Sequence, residues 1–285
     1  LVSNLGNIEV EASAFASSSN DTKATAYGII VDTLSIGGSI TNSGTIGVDA
    51  KANNTSHTSP TTANITANAY GVYVDSADGS IINSGTIYVS AEAGAFANYS
   101  SDSTTVIASS FDLSASANAY GIHVGALLIG GSIANSGTIN VEAFASASSV
   151  SSDTASGAIY ASGNAYGIYV GDVAGNIENS GNISANADSN AGGIYVDGTL
   201  TATIKNNGTG SSDGIFVGTD SELMYVEGIF VDTIGNGGSI TNSGQISAIA
   251  NASSISAEAT AYGINVGTLE SGGSITNSGE IVASA

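Results

Sequence analysis

Four sets of residues have types that chemistry uses, and most recur at a fixed place beside a short repeated string. Asp32, Asp75, Asp197 and Asp232 each follow a Gly-Ile-x-Val or Gly-Val-x-Val string. A column of carboxylates could ligate calcium, or supply a general acid and its base partner. Gly125, Gly171, Gly218 and Gly267 take the same place in the other copies, which breaks any continuous carboxylate pair. Asp alternating with Gly suits a turn residue in the left-handed region. The column is therefore read as turns, with weak calcium binding as its one remaining chemistry and no resident cofactor or metal. The two histidines, His57 and His123, are far apart and lack a nucleophile-elbow string, so no catalytic residue is assigned.

The x position of the same string carries a second set. It holds Ile30, Tyr73, His123, Tyr169, Tyr195, Phe216, Phe230 and Asn265. If the flanking Ile and Val point inward, x points outward. Tyr73, His123, Tyr169, Tyr195, Phe216 and Phe230 would then form one exposed stripe. Ring faces in a stripe can stack on sugars or lie against another rod, or they can stack on one another from rung to rung. The last set is an amide column: Asn42, Asn83, Asn135, Asn179, Asn206, Asn242 and Asn277, each next to a turn. An amide there bonds backbone and its stacked equivalents, so the column is read as a structural ladder. The glycine that follows, as at Gly44, is expected to supply a positive φ.

Such columns exist only if the chain is a repeat, and it is one. The string Ser39-Ile-Thr-Asn-Ser-Gly-Thr-Ile-Gly-Val48 returns from Ser80, Ser132, Asn176, Ser239 and Ser274, with a truncated copy at Asn4 and a degenerate one at Thr203. Its glycines are residues 6, 44, 85, 137, 181, 208, 244 and 279, at intervals of 38, 41, 52, 44, 27, 36 and 35. Between the strings, apolar and polar residues alternate with period two, as in Glu9-Val-Glu-Ala-Ser-Ala-Phe-Ala16, which means strands. Gly, Asn, Asp and Ser punctuate the segments as turns require.

One repeat offers three short strands and cannot bury its Ile and Val face alone. Stacked copies align Ile on Ile and build a continuous narrow core. The expected fold is all-β, a single-stranded right-handed parallel β-helix, or β-solenoid, over residues 1–285. Eight copies at about 4.8 Å per rung give a rod on the order of 40 Å long. The irregular intervals favour the right-handed form over a left-handed hexapeptide helix. They are explained by Ala-rich strand arms at 9–27, 48–74, 89–120, 141–166 and 247–262, whose small inward residues let two sheets approach. Arm length can vary because closure entropy grows slowly with loop length. Residues 182–231 have lost most of their arms, and rung boundaries there are open.

Composition excludes several classes. The chain has 285 residues, 3 Lys+Arg against 24 Asp+Glu, a formal charge of −21 and no cysteine. So few cations cannot neutralise a row of phosphates, so nucleic acid is not a partner. Anionic membrane surfaces repel the chain, and no run of about 18 apolar residues inserts in a bilayer.

The string Gly37-Gly-Ser-Ile-Thr-Asn-Ser-Gly-Thr-Ile46, with its copies from Gly130 and Gly237, resembles the repeats of autotransporter passenger domains of Gram-negative bacteria. The resemblance covers nearly the whole chain. It implies a secreted, outer-membrane-associated or cell-surface protein of adhesin type. The membrane barrel of that family is not visible in this segment. The expected function is a non-enzymatic, extracellular structural or adhesive rod. Its partners are other copies, end to end as a fibre or side by side, and a glycan or host-surface ligand. The alternative is a polysaccharide-active β-helix enzyme, which rests on fold analogy alone.

Overall fold

The computed structural model describes residues 1–17, 21–56, 61–99, 109–151, 155–196, 222–234, 239–243, 245–250, 257–271 and 273–284. Its elements are all β-strands, and all strand pairs are parallel. Successive windings of the chain deliver strands to three sheets that stack as a solenoid. A short first sheet runs through Val2–Asn4, Ser39–Asn42, Ser80–Asn83, Ser132–Asn135, Asn176–Asn179, Ser239–Asn242 and Ser274–Asn277. The second contains Asn7–Ala16, Thr45–Ser56, Thr86–Tyr99, Thr138–Ser151, Asn182–Val196, Gln245–Ala250 and Glu280–Ser284. The third contains Thr22–Leu34, Thr61–Ala77, Ser109–Leu127, Ala155–Val173, Glu222–Ile234 and Ala257–Leu269.

Period two converts directly into an inside and an outside. In Thr45–Ser56 burial alternates residue by residue, with Ile46, Val48, Ala50 and Ala52 inside. Register then carries each inward residue onto its equivalent one winding on. Ile46 pairs with Ile87, Ile87 with Ile139 and Ile139 with Ile183. Ile40 pairs with Ile81, Ile81 with Ile133 and Ile133 with Ile177. The core is a column of Ile and Val between the three sheets. It continues between the second and third sheets as alanines, including Ala91, Ala93, Ala117 and Ala119, all buried in the same cluster. The arms are thus extensions of the second and third sheets that face each other. They are not hairpins, since the two strands of one arm belong to different sheets.

The strings turn out to serve close approach rather than unusual dihedrals. Among the described residues the only glycine with positive φ is Gly37. Gly44, Gly85, Gly137 and Gly181 do not need the left-handed region. A Cβ on Gly85 would overlap the carbonyl oxygen of Gly44, and one on Gly137 would overlap that of Gly85. The windings touch backbone to backbone at this corner, where Thr86 N donates to Gly44 O at 2.9 Å and Thr138 N to Gly85 O at 2.9 Å. The expected turn after Gly-Ile-x-Val is also corrected: Asp32, Asp75, Gly125 and Gly171 lie inside strands of the third sheet, and none has positive φ. Gly125 is required there because an added Cβ would sit 2.5 Å from the carbonyl oxygen of Asp75.

Among the described residues the first and second sheets have seven strands each, where eight motif copies suggest eight rungs. The copy at 203–208 lies outside the described residues. The winding at Asn176–Asn179 pairs directly with that at Ser239–Asn242, Ile177 against Ile240. The Gly193-Ile-Tyr-Val196 string also departs from its expected place. It ends Asn182–Val196 in the second sheet, with Tyr195 opposite Val150, and so leaves the column its sequence resembles.

The corner makes a sharp prediction. Gly85→Ala should destabilise the protein by about 3 kcal/mol or more in equilibrium denaturation, since backbone must shift to relieve the overlap. Gly47→Ala should lie within about 1 kcal/mol of wild type, because its Cβ meets nothing nearer than Glu9 Cγ at 3.7 Å. Equal effects at the two sites would contradict the close-approach argument.

Candidate functional site

The amide column lies at the corner between the first and second sheets and is buried. Asn42, Asn83, Asn135 and Asn179 are each 1% exposed, and Asn242 is fully covered. The Nδ2 of each donates to the Oδ1 of the next: Asn42 to Asn83 at 2.8 Å, Asn83 to Asn135 at 2.7 Å, and Asn135 to Asn179 at 2.7 Å. Asn179 donates to Asn242 at 2.9 Å and Asn242 to Asn277 at 2.7 Å. Asn206 lies outside the described residues. Asn4 heads the ladder, donating to Asn42 at 2.8 Å, although its truncated string left it out of the column read from sequence. The second N–H of the amide goes to backbone, as from Asn4 to Thr45 O at 3.0 Å and from Asn179 to Gly181 O at 3.2 Å. A buried amide in a low-dielectric interior is costly unless both ends are satisfied, and this arrangement satisfies both.

The aromatic stripe is on the outer face of the third sheet. Tyr73, His123 and Tyr169 are brought together, stacked at centroid distances of 4.8 and 4.7 Å with interplanar angles of 13° and 9°. Phe230 continues the column in backbone register opposite Tyr169. Tyr195 belongs to the second sheet and is not in the stripe, and Phe216 lies outside the described residues. A second ring column stands beside the first and was missed: Tyr27, Tyr70, Tyr120 and Tyr166, stacked at 4.8, 4.9 and 5.0 Å. Strict alternation puts residues three apart on opposite faces, which hides the pairing of Tyr70 with Tyr73. The intervening Gly71 breaks alternation. It faces inward, where an added Cβ would meet Ile87 Cγ2 at 2.5 Å, and so does the next residue, Val72. Two successive inward residues return both tyrosines to the outside, where their rings meet edge to face at 5.3 Å and 84°. Tyr120 meets His123 in the same way at 5.1 Å.

Beyond the rings lies a second amide ladder, also unforeseen. Asn164 donates to Asn118 at 2.8 Å and Asn118 to Asn68 at 2.9 Å. The signal was the string Asn-Ala-Tyr-Gly, which recurs at residues 68, 118 and 164. The outer face of the third sheet is therefore laid out in parallel columns of amides, tyrosines, and tyrosine with histidine.

Stacking changes what the stripe offers. The faces of the inner rings are occupied by the rings above and below, so their edges, the tyrosine hydroxyls and the amides face outward. A sugar cannot lie flat on an inner ring, and hydrogen bonding across the edges is the chemistry left. Tyr73 Oη donates to Asp75 Oδ1 at 2.6 Å, and this bond, with burial, pushes the Tyr73 phenol up to about 12. Burial raises Tyr120 as well, with its neighbours Tyr166 and Tyr70 adding to the effect. Burial lowers His123, opposed by the negative charge of Asp75. His123 Nδ1 is buried and has no hydrogen-bond partner. Among the described residues no three His, Cys, Asp or Glu side chains come together as metal ligands. His57 lies outside the described residues. Compared with protein-family models, curated proteins and solved structures, the chain matches none.

Two predictions follow from the ladders. Asn135→Ala removes one ladder member and strands Asn83 Nδ2 and Asn179 Oδ1, so it should cost about 2–4 kcal/mol in equilibrium denaturation. Asn277→Ala, at an exposed position, should cost about 1 kcal/mol or less. For His123, the unfolded imidazole titrates near its ordinary value of about 6.5 and the native one below it. Between those values the unfolded chain binds more protons, so stability is full above that ordinary value and is lost as pH falls through it toward the native pKa. His123→Phe keeps a ring in the stack and cannot titrate. Its stability relative to wild type should rise as pH is lowered from about 7.5 to 5, and a pH-independent difference would contradict the assignment.

Proposed function

We propose that this chain is a non-enzymatic structural and adhesive β-solenoid displayed outside a bacterial cell, as a passenger segment of the autotransporter type. The observation that supports this reading best is axial repetition. The same amide, the same ring and the same glycine recur over one another through the windings, so the outward surface is a set of continuous lines. Such a surface suits contact along its length. A stack of parallel windings is also stiff, because each added winding brings a full set of backbone bonds and core contacts. The winding is right-handed in this proposal, as parallel crossovers between twisted strands of L-residues are.

The outer face of the third sheet is the adhesive surface. From the winding of Thr61–Ala77 to that of Ala155–Val173 its central columns are Asn, Tyr and His, with the carboxylate of Asp75 at the rim, and one winding on Glu227 takes the register position opposite Tyr166. On a chain of charge −21 these three windings, whose central columns carry no charge, are where a glycan or host-surface ligand meets the least repulsion. The amides and phenol hydroxyls offer donors and acceptors at a spacing of about 4.8 Å along the axis. Rods associate end to end through the same parallel pairing that joins winding to winding, or side by side across this strip.

A glycan and extracellular-matrix array with the purified chain, together with negative-stain imaging and size-exclusion chromatography, tests the proposal. The expected result is short stiff rods or their fibres that retain a neutral glycan or a matrix protein. Asn118→Ala combined with Tyr73→Ala should weaken that retention tenfold or more without changing the rod. Rods that neither associate nor retain any ligand would overturn the adhesive reading.

A further inference from the structure

The second sheet carries a groove on its outer face that the proposed adhesive strip does not use. Outward residues of this sheet form columns by register. Glu9 is followed by Gly47, Tyr88 and Asn140, and Glu11 by Asp49, Ser90 and Glu142. Gly47 is therefore a gap in a column whose neighbours are a glutamate and a tyrosine. The gap opens a groove of about 410 Å³ lined by Glu9, Glu11, Asp49 and Tyr88, with Gly47 and Val48 also in its wall. Glu9 and Tyr88 are two rungs apart, which is about 10 Å. Tyr88 is 40% exposed, and its hydroxyl donates away from the gap to Glu142 Oε2 at 3.1 Å.

The charge of the groove is not cancelled within the chain. Asp49 Oδ2 accepts from the Lys51 ammonium at 2.6 Å, whereas Asp49 Oδ1 is out of solvent and has no hydrogen-bond partner. Glu11 and Asp49 stand directly opposite each other across neighbouring strands, and like charges so placed repel. One lysine beside Glu9, Glu11, Asp49 and Glu142 leaves a net negative slot with one aromatic wall. A second copy of the chain cannot supply the counter-charge, because it brings 3 Lys+Arg with 24 Asp+Glu, and no arginine at all.

We infer that the groove over Gly47 binds an arginine side chain of a basic partner polypeptide, its guanidinium laid against the Tyr88 ring and facing the carboxylates of Glu9, Glu11 and Asp49. A planar guanidinium fits better than an ammonium. It stacks on an aromatic face, and its five donors reach more than one carboxylate at once. It also places a positive charge beside Asp49, whose Oδ2 is held by Lys51 while its Oδ1 has no hydrogen-bond partner.

Gly47 separates a shaped site from diffuse attraction. Gly47→Gln fills the slot without altering charge, in a column that already accepts Glu and Tyr, at a site where a Cβ meets no atom closer than 3.7 Å. The probe is a fluorescein-labelled peptide of alternating Gly and Arg, titrated with the full chain by fluorescence polarisation. The matching Gly-Lys peptide and spermine are the comparison ligands. The Arg peptide should bind at least fivefold tighter than the Lys peptide. Gly47→Gln and Tyr88→Ser should each weaken it tenfold or more while circular dichroism stays that of wild type. Binding that ranks Lys peptide, spermine and Arg peptide alike, or that survives both substitutions, would show attraction to net charge alone and overturn the inference. Failure of the Arg peptide to bind at all would overturn it too. Neither result touches the adhesive strip, which lies on another sheet.

Discussion

Everything in this protein depends on one winding coming to rest directly over the last at the Asn-Ser-Gly corner. The corner does two jobs with three residues. Its glycine removes the Cβ that would collide with the carbonyl of the winding below, so backbones close to bonding distance. Its asparagine closes the buried space behind that contact with an amide that donates along the axis and accepts from the other side. The pair is self-consistent in one register only. A slip of one residue would put Ser43 in the space of Asn42 and would turn every Ile from the core to the outside.

Once register is imposed there, long-range order follows along each strand. Ile stacks on Ile, Ala on Ala, and, on the third sheet, ring on ring. Each single contact is small: an aromatic pair is worth about 0.5–1.5 kcal/mol and a net hydrogen bond about 1 kcal/mol. Their contribution comes from being repeated in the same direction through neighbouring windings, so that each helps to hold the next. This is also why the arms can differ in length. Their described inner faces are mostly alanine, with Ile65 and Leu113 among them, and alanine packs at close range without a specific partner shape.

The same register sorts charge. Glu9, Glu11, Asp49, Glu92 and Glu142 are all placed outward on the second sheet. The third sheet receives amides and rings in its central columns. The two faces therefore differ in charge, although both come from strands that alternate in the same way. Where a column loses its side chain, as at Gly47, a repetitive surface acquires a local shape.

Much of this was legible in the residue order. Recurrent Asn-Ser-Gly and Gly-Ile-x-Val strings with period-two segments between them determined parallel stacked strands, the inward Ile and Val, the Asn column and the outward place of Tyr73, His123 and Tyr169. Those features follow from nearest neighbours along the chain and from identity between repeats, and both are written in one dimension. What only the tertiary structure decided depends on contact between windings. The glycines are needed for the backbone above and not for their own φ. Gly71 shifts the phase so that Tyr70 joins Tyr73. Asn179 skips to Asn242, and Tyr195 moves to another sheet in spite of its familiar string. A motif states what a residue prefers, but which winding lies over it is settled by the packing of all of them together, and that is not local.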